Sequence, residues 1–377
     1  MANKKTILSE EIELSEIVLE KTNQAFEMIK QEDIVCMKKT HTKDKKVFKT
    51  QAAVIAGVCI LAVSSISAVA AIHHYWGRGM NGIIQASDEQ QQVLTEKNIA
   101  KVYSEEPNSP SLAVTNNGVT IEPDTVIVDE RLVYMAFRIS GYSAADKMEP
   151  GFDMVNVYQG DHPEDESAWV NMSGTMYDGT IPDENGIPVS EDGSIISHYT
   201  DDNGNMEYII RASAVEKNDS LLGKTIHVEF KNLGTFSKGM FIPAVDGDWN
   251  FKINLSDVSS SQNIKVGQKV EGTGFTMEDI DISPISIKVN YSVSAAPVEK
   301  EDDLGIPEVK GVVLKDGTRI PYLTNPVRLG YTDSSKSNAY QIAGFARVVD
   351  ADEIAALIVL KSYENEKVEM LEIPISK

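Results

Sequence analysis

The stretch SLAVTNNGVTIEPDTVIVDERLVYMAFRIS, Ser111–Ser140, alternates β-branched residues with polar ones and carries Asn116-Asn117-Gly118 near its start. A period of two puts apolar side chains on one face of a strand, and an Asn-Gly step supplies the positive φ angles of a tight hairpin. The stretch therefore predicts antiparallel strands joined by a short turn. The same texture returns at MEYIIRAS (206–213), TIHVEFKNL (225–233), DWNFKINL (248–255), ISIKVNYSVS (285–294), KGVVLKDGTRI (310–320), YQIAGFARV (340–348) and KVEMLEIPIS (367–376). Asn-Gly, Asp-Gly and proline signals separate these runs, a spacing that indicates antiparallel sandwiches. The serine-rich SDVSSSQ, Ser256–Gln262, marks a boundary before a new series of strands begins. The expected fold is mainly β, with two tandem immunoglobulin-like β-sandwich domains over 106–258 and 259–377.

Upstream the texture changes. SEEPNSPS, Ser104–Ser111, reads as a linker, and GIIQASDEQQQVLTEKNIAKVY before it reads as helix, with Ile83, Ile84, Val93, Leu94 and Ile99 apolar. Residues 75–105 are thus expected to be a helix and linker. Earlier still, Ala52–Ile72 is a run of 21 residues without charge or proline. As a helix it reaches about 31 Å, the thickness of a bilayer's hydrocarbon core. One transmembrane helix is therefore expected over 50–74. A buried soluble helix would show polar residues at helical spacing, whereas Cys59, Ser64, Ser65 and Ser67 are the polar side chains here. A cleaved signal peptide is the other alternative, because Ala68-Val69-Ala70 has the small-x-small form, but such peptides begin close to the initiating Met.

Lys38, Lys39, Lys43, Lys45, Lys46 and Lys49 crowd the N-terminal flank, and Arg78 is the early positive charge on the other side. The positive-inside rule keeps residues 1–49 cytoplasmic and exports the rest. Tyr75 and Trp76 fall where aromatic rings settle at the headgroups. Residues 1–49 hold ten Lys/Arg and nine Asp/Glu, leaving 25 basic and 48 acidic residues, a net −23, beyond them. That charge disfavours nucleic acid and anionic lipid as partners of the outer part and suits solubility, cations or basic polymers. The two cysteines, Cys36 and Cys59, fall on the inner side and within the span, so no disulfide can staple the outer region.

Within the cytoplasmic segment, Ser9 stands at an N-cap position ahead of acidic residues, predicting an amphipathic helix. Leu14, Val18, Ala25, Phe26 and Ile29 form one stripe, widened by Ile17 and Leu19. Nothing in so short a segment can bury that stripe, so a partner chain, a second copy or the membrane surface must, unless the segment is a loose tail. Leu14, Val18, Phe26 and Ile29 are the candidate partner-binding residues.

The order of short inner segment, single span, YWGRGM and then VTNNGVTIEPDTVIVDERLVYMAFRI resembles the bacterial membrane family called domain of unknown function forty-one seventy-nine. The part after residue 260, with MEDIDISPISIKVNYSV, is similar to the companion domain of unknown function fifty-six forty-three. Members are often encoded beside extracytoplasmic-function sigma factors, so the resemblance implies a membrane-bound anti-sigma factor. Zinc-containing anti-sigma domains carry His-x-x-x-Cys-x-x-Cys, whereas Cys36 and His41 stand alone here; a sigma contact would use the apolar stripe without zinc.

No nucleophile elbow, phosphate-cradling glycine loop or His-Glu-x-x-His helix is present, and His162, His198 and His227 sit in separate contexts. Asp161/Glu164/Asp165 and Glu301/Asp302/Asp303 could pair as acid and base, but such clusters in an acidic chain are ordinarily solvated loops. Asp201, Asn203, Asn205 and Glu207 alternate oxygen ligands that calcium accepts, yet Asn203-Gly204 already reads as a hairpin turn; Asp246 and Asp248 stand in the same position. No catalytic residue, metal or cofactor is expected. Two function classes remain: an anti-sigma factor coupling an envelope sensor to the cytoplasm, or an anchored module that binds a cell-wall ligand or has a structural role.

Overall fold

A sheet covered on both faces organises the first half of the computed structural model, which describes residues 76–103, 112–144, 148–160, 163–165, 168–183, 188–190, 198–215, 219–295, 304–364 and 367–375. These residues belong to one compact unit, Val58–Lys377. The expected cytoplasmic helix at 1–49 and span at 50–74 lie outside the described residues, among which no helix is long and apolar enough to cross a membrane.

Two helices come first, α1 (Arg78–Ile83) and α2 (Asp88–Glu96). The strands of the first half are β1 (Ala100–Val102), β2 (Val114–Asn116), β3 (Val119–Val128), β4 (Leu132–Ser140), β5 (Glu149–Gln159), β6 (Val170–Met176), β7 (Thr180–Pro182), β8 (Pro188–Ser190), β9 (Met206–Ala214), β10 (Thr225–Ser237) and β11 (Met240–Asn254). Those of the second half are β12 (Gln262–Lys269), β13 (Phe275–Ile282), β14 (Ser286–Val293), β15 (Glu308–Leu314), β16 (Arg319–Ile320), β17 (Thr324–Tyr331), β18 (Asn338–Phe345), β19 (Ile354–Glu364) and β20 (Lys367–Pro374). One sheet runs β1-β3-β4-β9-β6, with β2 also on β3, and a second runs β11-β10-β5. In the second half the orders are β12-β13-β14-β18-β17 and β16-β15-β19-β20, and β7 pairs with β8. The protein is mainly β, in several antiparallel sheets.

The Asn-Gly signal forms the turn it predicts. Asn117 and Gly118 are the two loop residues between β2 and β3, with φ of 46° and 84°, the left-handed pair of a type I′ hairpin. The Asn116 and Asn117 side-chain amides then donate to the carbonyls of Asp248 and Asp246 on β11.

The expected alternation fails in β3 and β4, and the reason is a third layer. Val133, Met135, Phe137 and Ile139 face the β11-β10-β5 sheet and share a core with Phe152, Phe230, Trp249 and Phe251. Leu132, Tyr134 and Ala136, on the opposite face, pack with Trp76, Met80 and Ile84 from the helical segment. A strand covered on both sides reads as a continuous apolar run, and each such side chain contributes roughly 1.5–3 kcal/mol. Aromatic rings lock the first face, with Phe137 edge-on to Phe230 at 5.1 Å between centroids.

The second half has its own core, in which Ile280, Ile287, Val289 and Phe345 from one sheet meet Val309, Leu357, Val359 and Ile373 from the other. The first core ends at Leu255 and the second begins at Ile264, so Ser256–Ser261 passes between them. The expected single helix over Gly82–Tyr103 is instead two short helices and a strand. Ser87 caps α2 through a reciprocal capping box with Gln90, which breaks the helix after Ile83, and Asn98 at φ 56° turns the chain into β1.

Candidate functional site

The feature most suggestive of function is the segment that begins at Trp76. Trp76, at 1% exposure, is buried in a third core between the halves, with Met80, Ile84, Leu94 and Ile99 from the helical segment, Tyr134 and Ile209 from the first half, and Ile285 and Val348 from the second. The Trp76 amide donates to Gln91 Oε1 at 2.9 Å. Two carboxylates then hold the glycines that follow: Asp124 Oδ2 accepts from the Gly77 amide at 3.0 Å and Glu207 Oε2 from the Gly79 amide at 2.6 Å. Between them Arg78 donates to the carbonyls of Thr200 and His198 and lies over the Tyr177 ring, 4.9 Å from its centroid. Glycine is needed for this approach, because a Cβ at position 77 would stand 2.5 Å from Asp124 Oδ2, and one at 79 would stand 2.8 Å from Glu207 Oε2.

Burial dominates the electrostatics of this clasp. It raises Glu207 to about 7, reinforced by the neighbouring Asp124 charge and opposed by the Gly79 amide and Arg78. Asp124 is raised as well, again chiefly by burial, against the Thr125 hydroxyl and Arg138. The pair can take up or release a proton near neutrality, but the chain's own backbone fills the space in front of it.

After α1 the chain pairs with the second half. The Gln85 amide donates to the Ala346 carbonyl at 2.9 Å, Val348 donates back to Gln85 at 2.8 Å, and Gln90 Nε2 reaches the Val348 carbonyl at 3.2 Å.

The β3–β4 turn makes the direct seam between the halves. Buried Asp129 accepts from the hydroxyls of Ser283 and Ser286 and from the amides of Arg131 and Leu132, both at 2.8 Å. Burial raises its carboxyl despite those donors. Glu130 accepts from the Ser259 and Ser261 hydroxyls, which outweigh burial and lower it. Arg131 pairs with Asp281, whose carboxyl is lowered because Asn263 and Arg131 outweigh burial. Across the same seam Gly344 gives room to the Tyr134 ring.

The described residues among those singled out in the sequence are not brought together. Leu14, Val18, Phe26 and Ile29 lie outside the described residues, as do Asp161, His162 and Glu301–Asp303. Asp201 accepts from the amides of Asn203 and Asn205 at 2.9 and 2.8 Å, so its loop closes on itself as a turn, while Glu207 serves the clasp. Asp246 and Asp248 offer their backbone carbonyls to the β2–β3 turn. His198 gives its carbonyl to Arg78, and His227 stacks on Tyr158 at 4.9 Å. Among the described residues no group of three or more His, Cys, Asp or Glu could hold a metal ion. Sequence reasoning missed the clasp because Asp124 and Glu207 sit inside strands; Gly77-Arg78-Gly79 beside Trp76 was the available signal.

No protein-family model matches the chain, and no curated protein is similar to it. Among solved structures, the crystal structure of a conserved domain protein from Bacillus anthracis is similar, with a TM-score of 0.43 and 15% identity over 72% of this chain and 88% of that one.

Proposed function

We propose that this chain is a membrane-anchored regulator, an anti-sigma factor in which two immunoglobulin-like sandwiches outside the membrane sense the envelope and a cytoplasmic helix holds a sigma factor. The apolar run at 50–74 is its span, and the resemblance to the two families of unknown function gives the sigma-factor partner. The observation that carries the reading is the seating of Trp76–Ile99. The segment directly following the apolar run is a shared core element of both β halves, where a passive anchor needs only a flexible tether. A rearrangement at the seam is therefore transmitted to Trp76, the first described residue after that run.

The test is transcription from the partner's promoters with the full chain and with Val18→Ala/Phe26→Ala. Truncating two buried anchors commonly costs about 2 kcal/mol each, roughly a thousandfold in affinity together. Constitutive transcription at normal membrane abundance is the expected result. Unchanged transcription in the double variant, with a full deletion raising it, removes the stripe as the contact. No effect of deletion removes the anti-sigma reading.

A second reading, an anchored module binding a cell-wall ligand, is favoured by the β10–β11 hairpin, which exposes Met240 (68%) and Ile242 (47%) beside the Phe236–Phe241 ring pair.

A further inference from the structure

The β10–β11 hairpin changes character along its length. From Asp246 to Asn254 β11 alternates, with Trp249, Phe251 and Ile253 buried and Asp248, Asn250 and Lys252 exposed. From Met240 to Val245 every side chain is apolar, on both faces of the strand. A strand apolar on both faces is normally covered on both. Here Met240 and Ile242 are 68% and 47% exposed, Pro243 and Ala244 are exposed beside them, and Phe236 and Phe241 are half-buried, 5.5 Å apart. Lys238 and Gly239, at φ 50° and 77°, close the hairpin as a two-residue turn. Lys238 is the one charged side chain from Phe236 to Val245, in a chain of net charge −22. The acid beside it on the sheet is exposed Glu149 of β5, opposite Phe236.

The tip lies at the end of the first half remote from the seam. The other end of β11, at Asn254, leads to Ser259 and Ser261, which Glu130 holds at the seam. The β2–β3 turn, at the far end of the facing sheet, bonds the Asp246 and Asp248 carbonyls. From Asp246 to Met240, at about 3.3 Å per residue, the hairpin runs up to about 20 Å past that turn. Gly79 is held toward the same end, because Glu207 stands at the start of β9 and pairs with Arg138 near the end of β4, away from the Asp129 turn. His73, His74 and Tyr75 alone separate Ile72, the last residue of the apolar run, from Trp76, a reach of at most about 14 Å.

On the reading of 50–74 as a span, we propose that the tip of this hairpin docks in the headgroup layer of the phospholipid bilayer that the chain crosses. So short a tether keeps the first half against the bilayer, and the hairpin projects from the end toward which Gly79 is held. Met240, Phe241 and Ile242 enter the apolar edge of the layer, and Lys238 stays at the phosphates. The chain's negative charge opposes an anionic surface elsewhere, and this acid-free stretch is where that opposition is absent. Tether and tip together hold the first half at two points and fix its orientation.

The experiment uses the full-length chain with Cys36→Ser and Cys59→Ser, labelled with an environment-sensitive fluorophore at Met240→Cys, in nanodiscs of phosphatidylcholine and phosphatidylglycerol. Lipids carrying a nitroxide high on the acyl chain quench the fluorophore only on close approach. Strong quenching at position 240 is expected, with a label at Asp257→Cys, exposed beside the seam, left unquenched. Ile242→Asp should bring the 240 label down to the level of the 257 label and leave thermal unfolding unchanged, since Ile242 is exposed. Co-elution of chain and disc tests the span separately. A chain that does not enter the disc overturns the span reading and the docking with it, whereas an inserted chain whose 240 label stays in water overturns the docking alone. Protection of that label from aqueous iodide without lipid quenching would give the tip to protein, a second copy included. An emission shift only on adding purified cell wall would give it to a wall ligand; either result overturns the proposal.

Discussion

The carboxylate of Asp129, in the β3–β4 turn, accepts a hydrogen bond from the hydroxyl of Ser283, 154 residues further along the chain. With Ser286 and two backbone amides it forms a buried cluster in which a single side chain answers donors from both halves. Asp129→Ala leaves those donors without an acceptor in a water-poor place and should cost about 3 kcal/mol or more, read by urea unfolding. Asp129→Asn should lose less, since its amide oxygen still accepts. Equal losses in the two variants would show that volume and not hydrogen bonding holds the seam.

Gly344→Ala is expected to destabilise through Tyr134. A Cβ there meets the Tyr134 hydroxyl, and Tyr134 is buried at 1% exposure between halves that cannot both recede. Overpacking of this kind costs about 1–3 kcal/mol. Tyr134→Phe in the same background removes the struck atom and should restore much of the loss in thermal unfolding; no restoration would place the strain elsewhere.

The clasp should loosen as pH rises. Glu207 ordinarily titrates near 4.5 and is raised to about 7, so the folded state holds its proton more tightly than the unfolded chain. That contribution is full below about 4.5 and is lost as pH climbs through about 7. Asp124, raised in the same direction, adds to the slope. Protection of the Gly77 and Gly79 amides from hydrogen exchange, corrected for intrinsic rates, should therefore fall between pH 5 and 8. Glu207→Gln should flatten that fall, and a slope unchanged by the substitution would refute the assignment to the acid pair.

Trp76→Ala should remove about 3–5 kcal/mol, the usual cost of deleting a fully buried aromatic side chain. Because Trp76 packs in the core shared by both halves, the loss should appear as one lowered transition in calorimetry. A change confined to part of the heat signal would mean that the segment serves one half alone.

Local chemistry was well advertised in the sequence, and long-range chemistry was not. Asn117-Gly118 and the runs quoted from Met206 onward carry their signals within a few residues, so the hairpin, β9, most of β10, the second part of β11 and most of β14, β15, β18 and β20 were readable, whereas β12, β13, β17 and β19 were not read as strands. β5 and β6 were missed because Asn156, Asn171, Gly174 and similar residues dilute their apolar pattern at an exposed sheet edge. The third core could be suspected only from the unbroken run Leu132–Phe137, which contradicts alternation and signals cover on both faces. Asp124 drew no notice and Glu207 was noticed only as a possible calcium ligand, because their partners are backbone amides 47 and 128 positions away.

The seating of Trp76–Val102 also governs how this region would meet a protease. A cleaving enzyme needs several residues of extended backbone with free amides, and here it meets two short helices, the second closed by a capping box, a strand paired with β3 and a buried tryptophan. Scission within the segment must wait for a local opening event, so its rate follows the free energy of that opening when reclosing is fast. Anything that tightens the seam slows cutting, and anything that frays it, alkalinity included, exposes the bond without any change in the enzyme.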